Sequence, residues 1–150
     1  MKLMIRVVND PMTIAGRLRP VLLRLARELR REIHSLGVTG GQVSLLAAIG
    51  NNPGITASEL AERERVSAPG MSGQLVRLEA AKLIERNRAS DRRRIGLSLT
   101  PEGHKVLKSV RKKRTAWLVE RLERLERLEP DELEAVEGSI DALEKLLGDE

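Results

Sequence analysis

Apolar residues along this chain recur in blocks of helical spacing, interrupted once by a stretch that alternates. From Met12 to Leu36, the residues Ile14, Leu18, Val21, Leu22, Leu25, Leu29, Ile33 and Leu36 stand three and four positions apart, as on one helical face. Pro20 falls inside the block, so the pattern predicts a kink there or a helix that begins at about that point. Gly37 supplies the stop.

Thr39-Gly-Gly-Gln42 has the form of a capping box, in which threonine and glutamine side chains satisfy each other's free backbone donors. The helix it opens carries Val43, Leu46, Ala47 and Ile49 and ends at Gly50-Asn51-Asn52-Pro53-Gly54. Thr56-Ala-Ser-Glu59 is a second box, and Ile55 before it can close over Leu60 as a hydrophobic staple. It opens a short helix, about Ala57 to Arg63. Ser67 then caps a further helix, Ala68 to about Lys82, with Pro69 in the first turn, a Val66–Met71 staple, and Met71, Leu75 and Leu78 on one buried stripe. A short helix, a turn and a second capped helix make a helix-turn-helix.

Leu83 to Arg86 and Ile95 to Leu99 read as short strands, the second by alternation. Thr100-Pro101-Glu102 caps a helix bearing Val106, Val110, Leu118, Leu122 and Leu125. Pro130 opens the last, with Leu133, Val136, Ile140, Leu143 and Leu147. The expected fold is mainly α with a small β-hairpin wing: a winged helix-turn-helix over residues 39-100, flanked by long N- and C-terminal helices at 12-36 and 101-147. With 150 residues and no long linker, the chain reads as one domain.

Charge sharpens this picture. The net charge of +5 conceals a basic middle and an acidic end. From Lys82 to Arg94, six basic residues face only Glu85 and Asp91, whereas from Glu129 to Glu150 nine acids face Lys145 alone. Five arginines (Arg86, Arg88, Arg92, Arg93 and Arg94) lie in or beside the connection between the two strands. On a hairpin next to a helix-turn-helix, such a cluster suits a polyanion, and Arg92, Arg93 and Arg94 at its tip can enter a minor groove or bracket phosphates. Asp91 would hold one of them in position.

On the 68–82 helix, Pro69, Ser72, Gly73 and Val76 fall opposite the buried stripe, with Gly70 and Arg77 at one flank. A surface this small and nearly uncharged allows a close backbone approach, as a helix makes in the major groove of duplex DNA. With Ser67, these seven are the candidate recognition residues. Trp117 is the only aromatic among Phe, Trp and Tyr, which disfavours base stacking on single strands.

The terminal helices carry more leucine than a winged helix can cover. The choice lies between one larger monomeric core and a two-fold dimer of interleaved terminal helices. The dimer is favoured, with Leu18, Leu22, Leu25, Trp117, Leu118, Leu122, Leu133, Val136, Ile140 and Leu143 at its interface. His34 and His104 are expected at the surface or its boundary rather than as ligands. With no cysteine there is no disulfide and no thiol switch, and no ligand cluster, phosphate loop or nucleophile–base pair suggests an enzyme, a metal or a cofactor. No apolar run approaches the roughly 18 residues of a spanning helix, and no signal peptide opens the chain, so neither a membrane nor export is expected and the location is cytoplasmic.

Thr39-x-x-Gln42 with Leu45-Leu46, Thr56-x-x-Glu59-Leu60-Ala61, Leu75-x-x-Leu78-Glu79, Leu83-Ile84-Glu85-Arg86, Asp91-Arg92-Arg93 and Leu97-x-Leu99-Thr100-Pro101-Glu102-Gly103 follow in order. In that order and spacing the chain resembles the MarR family of bacterial transcription regulators over nearly its whole length. The resemblance implies an obligate homodimer on pseudo-palindromic operators, usually a repressor, with a wing aspartate–arginine pair matched by Asp91 and Arg93. It also implies release by a small, often phenolic, anion in a crevice between the dimerisation and DNA-binding parts. Oxidant sensing through cysteine is excluded, and Pro69-Gly70 departs from the polar residues usual at those positions. Two other functions fit the same residues: a winged helix that docks an acidic protein, and a nonspecific nucleoid-type DNA binder.

Overall fold

The computed structural model describes residues 10–88 and 94–148. The elements run α1 (Pro11–Arg31), α2 (Gly40–Asn51), α3 (Ala57–Arg63), α4 (Ala68–Ala80), β1 (Ile84–Arg88), β2 (Ile95–Leu99), α5 (Pro101–Leu128) and α6 (Pro130–Glu144). A single 3-10 turn, His34–Leu36, joins α1 to α2. The fold is mainly helical with one small hairpin, and no single helix among the described residues is long and apolar enough to cross a membrane.

Local chemistry sets the helix starts. Thr39 Oγ1 accepts from the Gln42 N–H at 3.1 Å while Gln42 Oε1 accepts from the Thr39 N–H at 3.0 Å. Thr56 and Glu59 repeat the exchange at 3.2 Å in both directions. Ser67 Oγ and Thr100 Oγ1 accept from the N–H groups of Gly70 and Gly103, at 3.2 and 3.0 Å. Each pairing satisfies a donor that a helix N-terminus otherwise leaves free.

At α1 the bounds differ from those expected. Neither a start at Pro20 nor an end at Leu36 is observed: the helix begins at Pro11 and passes through Pro20 to Arg31. Asp10 caps it, accepting from the Met12 and Thr13 N–H groups, and the Thr13 hydroxyl and these amides hold its carboxyl below the usual aspartate range. Asp10-Pro11 was therefore the start signal. The chain leaves the helix at Glu32, and Gly37, at φ 73°, ends the following 3-10 turn. Other differences are small: α4 stops at Ala80 rather than Lys82, β1 spans Ile84–Arg88 rather than starting at Leu83, and Leu147 lies beyond α6.

The core is centred on the winged helix and is completed by Ile33 and by the first turns of α5. Ile33, Leu46, Ile49, Leu60, Met71, Leu75, Leu78, Leu97 and Val110 are almost completely enclosed, and the staple partners Ile55 and Val66 pack with them. In α5 only Gly103, Leu107, Val110 and Trp117 are buried. The hairpin pairs Ile84 with Leu99 and Arg88 with Ile95, and its second strand also bridges Ile55: Leu97 donates to the Ile55 carbonyl at 2.8 Å and Gly54 to the Leu97 carbonyl at 3.0 Å. Gly96 permits this crossing, since a Cβ there would stand 2.9 Å from the Gly54 Cα. Gly103 is required for a similar reason, because a Cβ would overlap the Leu83 carbonyl oxygen. These contacts fix the hairpin and the start of α5 against α4.

By contrast, no residue of α1 or α6 is buried. A single larger core enclosing the terminal helices is therefore not what this chain forms. Met12, Ile14, Val21, Leu22, Leu23 and Leu25 on α1, and Val136, Ile140 and Leu143 on α6, are exposed.

Candidate nucleic-acid interface

Helix α4 turns Met71, Leu75 and Leu78 inward, and Pro69, Gly70, Ser72, Gly73, Val76 and Arg77 are all exposed, as is the cap Ser67. Val76 is 58% exposed, a large fraction for an apolar side chain next to a well-filled core. The two glycines differ in origin. A Cβ on Gly70 would meet Ser67 Oγ at 3.0 Å and Val66 Cγ1 at 3.2 Å, so the cap and staple account for that residue. Around Gly73 nothing lies within 4 Å. No packing among the described residues explains a glycine in mid-helix, which costs ~1 kcal/mol against alanine.

The hairpin is tied to both helices of the helix-turn-helix. From β1, Arg86 Nε donates to Glu79 Oε1 of α4 at 2.6 Å. From the residue before β2, Arg94 donates to both carboxylate oxygens of Glu59 on α3, at 2.6 and 2.9 Å. Arg94 stands beside Ile95, whose pairing with Arg88 is the last rung before the connecting loop, and there it has a partner across the fold that the sequence did not suggest. Arg88 ends β1 and is exposed. Asp91, Arg92 and Arg93 lie outside the described residues. Glu59 was read from sequence only as a cap and Glu79 only within the family motif, because ion-pair partners 35 and 7 positions apart meet only after folding.

Trp117 was expected in the core or at the interface. It is 8% exposed within one chain, its ring lying 3.5 Å beneath the Arg121 guanidinium, so it is covered without a second protomer. The other anticipated interface residues retain surface: Leu22, Leu25, Leu118, Val136, Ile140 and Leu143 are exposed, and Leu18, Leu122 and Leu133 are half-buried. His34 and His104 are exposed.

A cavity of about 350 Å³ opens where α1, the start of α2 and α5 meet, lined by Ala26, Leu29, Arg30, Gly40, Gly41 and Arg114. Gly40 lets the Arg30 stem lie close, since a Cβ would be 2.9 Å from Arg30 Cδ. Among the described residues, Arg114 Nε is buried without a hydrogen-bond partner. Two arginines in its lining and the positive end of helix α2 make this cavity suitable for an anion. Sequence reasoning expected such a crevice only through family resemblance and named none of its residues.

The model for the MarR family matches residues 36–95, which span α2, α3, α4 and β1 and end at the first residue of β2. An uncharacterised HTH-type transcriptional regulator of Mycobacterium leprae is 32% identical over 117 residues, 77% of this chain and 82% of that one. The chain belongs to the MarR family. Among solved structures, a Pseudomonas aeruginosa protein assigned as a transcriptional regulator superposes with a TM-score of 0.82 at 30% identity, covering 95% of this chain and 99% of that one. Wild-type MarR from E. coli, in its apo form, superposes with a TM-score of 0.67 at 25% identity, covering 85% and 95%. As a MarR-family protein the chain is a DNA-binding transcription regulator and not an enzyme.

Proposed function

We propose that this MarR-family protein is a homodimeric, sequence-specific repressor of pseudo-palindromic operators in double-stranded DNA, released when a small organic anion enters the Arg30–Arg114 cavity. Each protomer lays α4 in a major groove with Ser72, Gly73, Val76 and Arg77 toward the base edges. Arg88, Arg92 and Arg93 of the wing reach the adjacent minor groove or its phosphates. The observation that carries this reading is the outer face of α4, where an exposed Val76 and an uncrowded Gly73 form a surface suited to close approach and explained by no packing among the described residues.

The uncovered apolar faces of α1 and α6 support the dimer. Two-fold pairing through them would set two α4 helices roughly 34 Å apart, one turn of B-DNA. Residues 12-36 and 101-147 then dimerise and 39-100 bind DNA. Repression requires only that the bound dimer occupies its operator. An anion in the cavity would sit between these parts, against both guanidinium groups, and bias their relative placement.

Titration of a labelled operator against random duplex tests the reading. Arg93→Ala should weaken binding steeply at moderate salt, and Arg77→Ala or Ser72→Ala should change base preference as well as affinity. Retention of no duplex near physiological salt would favour a protein-docking module instead. Equal affinity for every duplex would favour a nucleoid-type binder.

A further inference from the structure

Three glycines, Gly37, Gly54 and Gly148, take positive φ at turns, where a missing Cβ removes the steric conflict. Among the described residues two others do so, and both carry cations: Arg65 at φ 53° and Lys82 at φ 59°. Each ends one helix of the helix-turn-helix, and each does so by the same hydrogen-bonded device. After α3, the Arg65 N–H reaches the Glu62 carbonyl at 3.2 Å and the Val66 N–H the Ala61 carbonyl at 2.9 Å. After α4, the Lys82 N–H reaches Glu79 at 2.9 Å and the Leu83 N–H reaches Leu78 at 3.0 Å. This is a Schellman motif, whose left-handed position glycine fills best. The Lys82 carbonyl is further held by the Thr100 hydroxyl at 2.6 Å, so the conformation is imposed by the fold and not by the side chain.

The chain thus retains long cationic side chains at the two helix ends where glycine would relieve the backbone. Arg65 precedes the Ser67 cap by two residues and Lys82 follows Ala80 by two, so they bracket α4, and both are exposed. A 13-residue helix is about 20 Å long, whereas the major groove is about 12 Å wide. A helix lying in that groove reaches the phosphate banks with its ends. We infer that Arg65 and Lys82 are phosphate-binding residues that hold α4 in register from opposite banks, their strained backbone being the consequence of keeping a cation there. The inference rests on the reading that α4 enters the groove.

The test uses the full chain, thermal melts, and anisotropy titrations of one selected operator and one random duplex across salt concentrations. Arg65→Gly and Lys82→Gly should raise Tm by about 2–4 °C. The same variants should weaken both duplexes about tenfold and lower the slope of log K against log salt by about one per protomer. Arg65→Gln and Lys82→Gln, which keep the strain, should lose the same slope without the gain in Tm, and Arg65→Lys should restore it. Cations kept only to complement a helix C-terminus would give Gly and Gln variants with wild-type affinity and slope, and that result overturns the inference while leaving duplex binding intact. Failure of the unsubstituted protein to bind either duplex would instead remove the reading beneath it.

Discussion

The Glu59 carboxylate serves two partners at once: it accepts from the Thr56 N–H at 3.2 Å and from the Arg94 guanidinium at 2.6 and 2.9 Å. One side chain therefore both starts α3 and tethers the wing where the connecting loop enters β2. Glu59→Gln separates the roles, because glutamine retains the capping box but lacks the charge. Both partners are about half exposed, so the ion pair contributes at most about 1 kcal/mol. Thermal melts should show Tm within about 2 °C of the unsubstituted protein. Freed from its carboxylate, Arg94 should tighten duplex binding at low salt and steepen the salt dependence by about one per protomer. An unchanged slope would mean that Arg94 makes no use of its release.

Gly73→Ala should act on stability and binding with opposite signs. No atom within 4 Å opposes the added methyl, so the helix gains ~1 kcal/mol. If the face meets the groove floor, the same methyl should weaken operator binding by more than about tenfold, comparable to a lost base contact. Gly70→Ala is the internal comparison: it crowds the Ser67 cap and the Val66 staple and should not stabilise. Denaturant melts and titrations of the two variants check both expectations.

These contrasts also explain what could be read before folding. Thr39, Thr56, Ser67 and Thr100 were legible as caps because a capping bond closes within three residues. The inward stripe of α4 was legible because period alone sets it. Pro20 was misleading: its missing donor would otherwise bond the Gly16 carbonyl, and one lost bond does not end a helix already started by Asp10 and Pro11. The ties Arg94–Glu59 and Arg86–Glu79, the Arg121–Trp117 stack, and the meeting of Arg30 with Arg114 near Gly40 depend on how elements pack, and no local pattern encodes them. The left-handed backbone at Arg65 and Lys82 was hidden for another reason: neither residue signals it as glycine would.

Gly103→Ala should be severely destabilising. The new Cβ would collide with the backbone carbonyl of Leu83, which also accepts from the Thr100 N–H at 3.1 Å and cannot move aside cheaply. A loss of about 3 kcal/mol or more is expected in urea unfolding. Since this contact joins α4, the hairpin and α5, a loss below about 1 kcal/mol would show that the joint is looser than described.

Leu22→Glu and Ile140→Glu test the terminal helices. Both residues are exposed in one chain, so neither change should disturb the winged-helix core. If a partner covers them, each apolar side chain contributes ~1.5–3 kcal/mol per protomer on burial, and a charge in its place should convert dimers to monomers. Sedimentation equilibrium would then give half the mass, and operator binding would fall with it. Dimers persisting in both variants would place the interface elsewhere.

The central claim is that two copies of this chain read a duplex symmetrically, each through the outer face of α4. Selection of bound duplexes from a random pool near physiological salt addresses it in a single measurement. The predicted result is an inverted repeat whose half-sites are centred about 10 base pairs apart, set by one helical turn between recognition helices. Enrichment of a single unrepeated site, or of no sequence at all, would contradict it.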